Sequence, residues 1–364
     1  MQQSERAFLV IKLADIGDVL TCTPALRALR QTFPNSRLDV LTTVGGAAVL
    51  AGNHSVDRMI VADRHSADSP RSLISLAALT AIVRLAGQLR QQQYEVAFLM
   101  HHLSTVWGTL KWQVLVRLLR AQSVAGLDNG RGTFLDIRVP DSGFGALHEV
   151  EYALSLVKAV GASPVDLSLS LHIPKTALAE AERILAASTR PLVAVHPGSG
   201  AYSLARRWPA NRFAAVADTL IERRNAEIVL VGGTNDNVDL VAAAMRHRAR
   251  NLSGRTNLMT LAAVLSRCAL FIGNDSGVMH LATATGIPIV AIFGPSNIRA
   301  WGPWRPAGPN AAPVVTLVGT CPQGGPCLYT DHTIGRRQGC PERHCLASIS
   351  PEQVIEVVSS LGIL

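Results

Sequence analysis

The sequence predicts an α/β protein built on two doubly wound parallel sheets, and three observations carry that expectation. Its 364 residues exceed what one hydrophobic core comfortably serves and suit two domains of ordinary size. Hydrophobic residues supply 48% of the chain but aromatics only 5%, the aliphatic, Ala- and Gly-rich profile of layered strands and helices. Two stretches also open in the same way: an apolar run (FLVIKL at 8–13, LVAVH at 192–196), a glycine-containing loop, then a helical pattern.

The elements follow in order from local chemistry. FLVIKL leads through a loop with Gly17 to a helix opening near Thr23 and Pro24, because Pro fits the first helical position and Thr marks the start. Residues 38–42 and 96–100 read as further strands of the first half. Residues 175–188, charged and Ala-rich, read as the junction. In the second half PGSG and RRWPANR precede a helix from about 213 to 223, and 227–231, 269–272 and 289–293 read as strands. PEQVIEVVSSLGIL reads as a short terminal helix. Continuous aliphatic strands alternating with helices imply parallel sheets covered on both faces. The expected domains are 1–175, 176–350 and the helix 351–364.

The formal charge is +8, and of the 34 basic residues only Lys12, Lys111, Lys158 and Lys175 are lysines. Arg forks suit phosphate and carboxylate, which favours an anionic partner; a biased base composition explains the Arg excess equally well. The start reads as a strand with acidic residues on both sides rather than as a leader, and the longest apolar stretch, 72–83, stops at Arg84. The expected location is therefore the cytoplasm. Cys22 and Cys268 are isolated within helical patterns and read as small buried thiols.

Open parallel sheets bind ligands at the carboxyl ends of their strands, so residues just after strands are the candidates. In FIGNDSGVMH (271–280) a strand runs into Asp275, then Ser276 and Gly277 at a helix start, with His280 one turn in. Exposed amides and the positive helix end there suit a pyrophosphate; an ordinary capped loop is the plainer alternative. In HPGSG (196–200) Ser199 is placed for phosphate, and Arg206 and Arg207, before Trp208, for its charge; a solvated basic loop is the alternative. Asp18, after the first strand, is a candidate general base, with Asp15 its competitor and a helix-start carboxylate the bland reading. G-x-G-x-x-G and P-loop patterns are missing, which argues against nicotinamide enzymes and P-loop nucleotidases. No Asp-x-Asp pair offers a metal cradle, so neutralisation falls to Arg and a helix end.

Taken together, VIKLADIGDVLTCTPAL, HPGSG with RRWP, VLVGG, LSGRTNLMTLAAVLSRC, and FIGNDSGVMHLATATGIPIVAIFGPSN followed by Trp301-Gly-Pro resemble glycosyltransferase family 9, the ADP-heptose:lipopolysaccharide heptosyltransferases, over nearly the whole length. The resemblance implies a GT-B architecture, two Rossmann-like domains facing a central cleft, and inverting, metal-independent transfer from ADP-heptose to the inner core of lipopolysaccharide. By motif match it implies Asp18 as catalytic base, Asp275 as sugar-contacting carboxylate, and Ser276, Gly277 and His280 around the diphosphate. It puts Ser199 and Arg206 on phosphate, Thr256 beside the adenine and Asp236 at the ribose. The family often has Lys where this chain has Arg206.

Cys321, Cys327, Cys340 and Cys345 depart from the best-known heptosyltransferases. Their spacing is compatible with a structural four-thiolate zinc site, with free thiols as the alternative and no cofactor required for catalysis. Residues 58–138 hold ten basic and five acidic residues, a match for an anionic glycolipid acceptor. Trp107 and Trp112, among Lys111, Arg117 and Arg120, suggest peripheral contact at the inner face of the inner membrane or, more simply, a buried helix. Transfer of another nucleotide sugar, or to a protein acceptor, is the alternative within enzymes. A polyanion- or glycan-binding protein is the alternative outside them, and the spread of basic residues, with no basic helix or stacking motif, argues against nucleic acid.

Overall fold

A computed structural model describes residues 6–62, 84–186, 188–309 and 311–364. The apolar stretch 72–83 lies outside the described residues. The chain divides into two compact units, one of residues 1–170 with 331–333, the other of 171–330 with 334–364.

The first unit holds β1 (Ala7–Lys12), β2 (Arg37–Thr42), β3 (Arg58–Val61), β4 (Val96–Leu99), β5 (Ser123–Asp128) and β6 (Ile137–Pro140). They form one sheet in the order β3-β2-β1-β4-β5-β6, every pair parallel. All six residues of β1 are buried, so its alternate side chains point into two apolar layers and need helices on both faces. Each fully buried Leu, Val or Ile there contributes about 1.5–3 kcal/mol over its exposed state. After β1 the chain turns into the helix Ile16–Leu20 and then Thr23–Thr32, which opens with Pro24 in its first turn.

The second unit repeats the plan with β7 (Leu192–His196), β8 (Glu227–Leu230), β9 (Arg250–Asn251), β10 (Leu270–Asn274), β11 (Ile289–Phe293) and β12 (Val314–Val318), in the order β12-β11-β10-β7-β8-β9. The stretch read as a junction is a helix of this unit, Lys175–Leu185. The last helix is Pro351–Leu361, capped by Ser350 and Gln353.

In both sheets the strand order reverses once, between β1 and β4 in the first and between β7 and β10 in the second. At such a reversal the two connections leave in opposite directions and open a crevice at the strands' carboxyl ends. The helical placing of Cys22 and Cys268 needs correction. Cys22 joins two helices and Cys268 follows the turn after the helix Leu258–Leu265, though both thiols are buried. Burial pushes them up to about 11 and about 12, so both remain neutral near pH 7. Among the described residues, no helix is long and apolar enough to cross a membrane.

Candidate functional site

In the second unit the crevice lies between HPGSG after β7 and NDSG after β10. Asn274, fully buried, ties the two loops: its Nδ2 donates to Pro197 O at 2.8 Å and its Oδ1 accepts from Trp208 N at 3.0 Å. Ser276 caps the helix Gly277–Ala284 by accepting from Met279 N at 3.2 Å, and its Oγ lies 3.2 Å from His196 Nδ1. The helix start is thus fixed on a strand end of the neighbouring loop, with Gly277 as its first residue and His280 buried on its first turn. The geometry concentrates peptide N–H groups and the positive helix end at one point.

Arg206 ends a short turn of 3₁₀ helix, Leu204–Arg206. It donates from Nη2 to Ser199 O at 2.6 Å and from Nη1 to Asp275 Oδ2 at 3.1 Å. The Arg206 and Asp275 side chains are 12% and 4% exposed, so neither charge stands alone in the protein interior. Ser199 lies deeper than the sequence suggests. Its Oγ donates to Ser203 O at 2.8 Å and receives Arg207 Nε at 3.3 Å, which commits the hydroxyl to the loop itself.

Asp236 is likewise engaged. Its Oδ2 accepts from Gly233 N at 2.8 Å and lies 3.5 Å from His196 Nε2, while Oδ1 meets Arg207 Nη2 at 3.3 Å. Burial pushes this carboxyl upward, but His196, the Gly233 amide and Arg207 outweigh it and hold it below the ordinary Asp range. Arg207 is pulled down by burial, against the opposing pull of Asp236. Thr256, half-buried, stands in the loop between β9 and the helix Leu258–Leu265. Ser199, Arg206, Asp236, Asp275, Ser276 and His280 therefore share one constellation, with Thr256 on a separate loop. Asn274 was missed as its anchor, although the polar run directly after an apolar strand was the available signal, and Arg207, expected to neutralise phosphate, is tied to Ser199, Asn237 and Asp236.

In the first unit Asp18 sits in the first turn of the helix Ile16–Leu20, half-buried, whereas Asp15 is the exposed N-cap residue and makes no side-chain cap. Lys12, at the end of β1, is 6% exposed. Burial opposes its charge, but Cys22, Glu149 and Asp18 together raise it above the usual lysine value. Sequence reasoning passed over Lys12, and over His101 and His102, which follow β4 at the same reversal of strand order.

Cys321, Cys327, Cys340 and Cys345 line one cavity of about 240 Å³ in the second unit, with Gly294, Ser296 and Arg343. Burial first, and then the neighbouring thiolates, push Cys327 and Cys345 upward, a repulsion that a bound cation would reverse. All four are free thiols, and among the described residues no three His, Cys, Asp or Glu are gathered as a metal shell. The donor chemistry fits a metal, and the four thiols share the lining of one cavity.

Comparison with known proteins agrees with this architecture. The family model described as glycosyltransferase family 9 (heptosyltransferase) matches residues 82–312. The chain is 28% identical over 305 residues to lipopolysaccharide heptosyltransferase 2 of Salmonella typhimurium, covering 79% of this chain and 83% of that one. A glycosyltransferase family 9 structure from Veillonella parvula superposes with a TM-score of 0.76 at 23% identity, over 99% of this chain and 98% of the other. The E. coli heptosyltransferase WaaC with ADP gives 0.68 at 18% identity, over 98% of this chain and 99% of the other.

Proposed function

The chain belongs to glycosyltransferase family 9 and is a glycosyltransferase, and from that premise we propose that it transfers heptose from ADP-heptose to the inner core of lipopolysaccharide by inverting, metal-independent displacement. The observation that carries this reading is the second unit's crevice. A capped helix start and the Arg206 guanidinium meet there where the strand order reverses, a site suited to a nucleoside diphosphate.

In this reading residues 176–350 bind the nucleotide sugar and 1–175 bind the acceptor. Asp18 takes the proton from the acceptor hydroxyl as its oxygen bonds to the anomeric carbon. The bond from that carbon to the diphosphate oxygen breaks, and ADP leaves with the electron pair, stabilised by Arg206 and the Ser276–Gly277 amides. Asp275 orients the sugar, and Thr256 and Asp236 line the nucleoside end. Because the Ser199 and Asp236 side chains are occupied within their loops, they act by shaping backbone that meets phosphate and ribose.

Two finer readings accompany it. The first is contact with an anionic membrane surface at the cytoplasmic face. It draws support from Val106, Leu110 and Val114, which are 76%, 48% and 48% exposed along one side of the helix Val106–Leu119, whose sequence holds Lys111 and Arg117 and no carboxylate. Trp112, by contrast, is a buried core residue. The second is a structural zinc or iron ion drawn in by the four thiols, both metals accepting tetrahedral thiolate sets.

The donor is tested by calorimetry with a panel of ADP-, GDP- and UDP-sugars. Tight binding of the ADP-sugars alone is expected. Preference for another nucleotide would overturn the donor assignment while leaving the family intact.

A further inference from the structure

The first unit also holds a cluster of buried ionisable groups at the reversal of strand order between β1 and β4. His102 follows β4, Asp141 follows β6, and Glu149 opens the helix Glu149–Lys158. His102 Nδ1 is 3.0 Å from Asp141 Oδ2 and its Nε2 is 2.9 Å from Glu149 Oε1. The three side chains are 8%, 0% and 5% exposed. The Phe144 ring packs 4.3 Å from the imidazole, and Tyr152 meets it edge-on at 4.9 Å. A neutral imidazole carries one N–H and can satisfy only one carboxylate, so with Asp141 and Glu149 both held in the ionised form both ring nitrogens carry a proton. Glu149 is also within electrostatic reach of Lys12, and Lys12 of Asp18.

We propose that His102 is a positioning residue: gripped between Asp141 and Glu149, it holds Glu149 within electrostatic reach of Lys12, at the end of the neighbouring strand β1, and so steadies the cation that acts on Asp18. The inference rests on Asp18 being the base. The placement of the carboxylates supports it. Asp141 and Glu149 each lie within hydrogen-bond distance of a His102 ring nitrogen and are buried, whereas Asp18 is half-buried and within electrostatic reach of Lys12. A cation of fixed position keeps that carboxylate ionised and oriented, which is what a proton acceptor needs.

Two further imidazoles, His332 and His148, face these carboxylates and favour their ionised forms. His332 Nδ1 lies 3.8 Å from the far oxygen of Asp141. Tyr152 donates its hydroxyl to Gly143 O at 2.7 Å. His148 caps the helix beside Glu149 through Val150 N at 3.2 Å, and the Cys22 thiol stays neutral.

Burial alone would lower the His102 value, but Glu149 and Asp141 raise it to about 9, while both carboxyls are held below their ordinary range. The charged ring therefore contributes stability that is fully present below about pH 6.5. That contribution is lost as pH rises through about 9. Above that point one carboxylate loses its donor, Glu149 shifts, and turnover should fall along an upper limb near the same pH.

The test measures kcat, donor KM and melting temperature against pH for the full chain and for His102→Gln, His102→Lys and Asp18→Asn. His102→Gln should lower kcat about tenfold to a hundredfold, leave donor KM unchanged and erase the upper limb. His102→Lys should recover part of the rate and move the limb upward, because an ammonium titrates higher than imidazolium. If His102→Gln fails to fold, the Lys variant decides alone, and a limb that stays near pH 9 overturns the proposal. So does a His102→Gln enzyme with wild-type kcat per folded molecule while Asp18→Asn is inactive. An active Asp18→Asn enzyme overturns the base assignment itself, whatever the histidine variants show.

Discussion

The two reversals of strand order show the same architectural device put to different uses. In the second unit the crevice is made of backbone: HPGSG and NDSG are laced together through Asn274, and the charged side chains beneath them are already paired. In the first unit the corresponding position is filled with buried charge, Lys12, His102, Asp141 and Glu149, and presents one half-buried carboxylate, Asp18. A backbone crevice suits a ligand whose charge sits on phosphate oxygens, which peptide N–H groups bind without side-chain reorganisation. A charged cluster suits a group whose protonation must be controlled. On the proposed function the contrast separates binding from chemistry, and damage in the second unit should appear in donor affinity, damage in the first in turnover.

The largest effect that can break this contrast is at Asp18. Asp18→Asn should lower turnover by roughly two to four orders of magnitude, the usual worth of a positioned base, with donor affinity measured by calorimetry nearly unchanged. Near wild-type turnover for that variant together with an inactive Asp15→Asn would move the base to Asp15. Next comes Arg206→Ala, which should weaken nucleotide-diphosphate binding by roughly 1–3 kcal/mol and leave free nucleoside almost untouched. Equal losses for the two ligands would mean that Arg206 holds the fold and not the phosphates.

Two smaller effects sharpen the picture. Replacing Leu110 by Asp should reduce co-sedimentation with anionic vesicles severalfold while activity on a soluble acceptor fragment persists. Unchanged sedimentation would remove the membrane reading. Protein purified without added metal should carry about one zinc or iron per chain, lost in Cys327→Ser. Four titratable thiols and no metal would leave the cavity as an ordinary cluster of thiols.

What was legible in the sequence is what local chemistry determines. The strand β1 declares itself because five consecutive residues, 7–11, are apolar, and the start of Gly277–Ala284 because Ser precedes it at the capping position. The inward turn of Ser199 was not legible, since it depends on Arg207 arriving from a separate turn to donate to the Ser199 hydroxyl. The His102 cluster was hidden for a similar reason: its partners lie 39 and 47 residues away in sequence, and only the sheet brings the two connections together. The pair of histidines directly after an apolar strand was nonetheless visible, at a position where ligands gather.

The glycine at 198 has a consequence for how such an enzyme changes over time. A Cβ at that position would stand 2.2 Å from the Asp236 carboxylate, and one at Gly273 would stand 3.0 Å from His196 O. The floor of the crevice therefore has no slack: a single added methyl group displaces the acid that supports the loop. Substitution has little room there, whereas the loop carrying Thr256, with its half-buried and exposed residues, can accept a larger side chain without moving that acid.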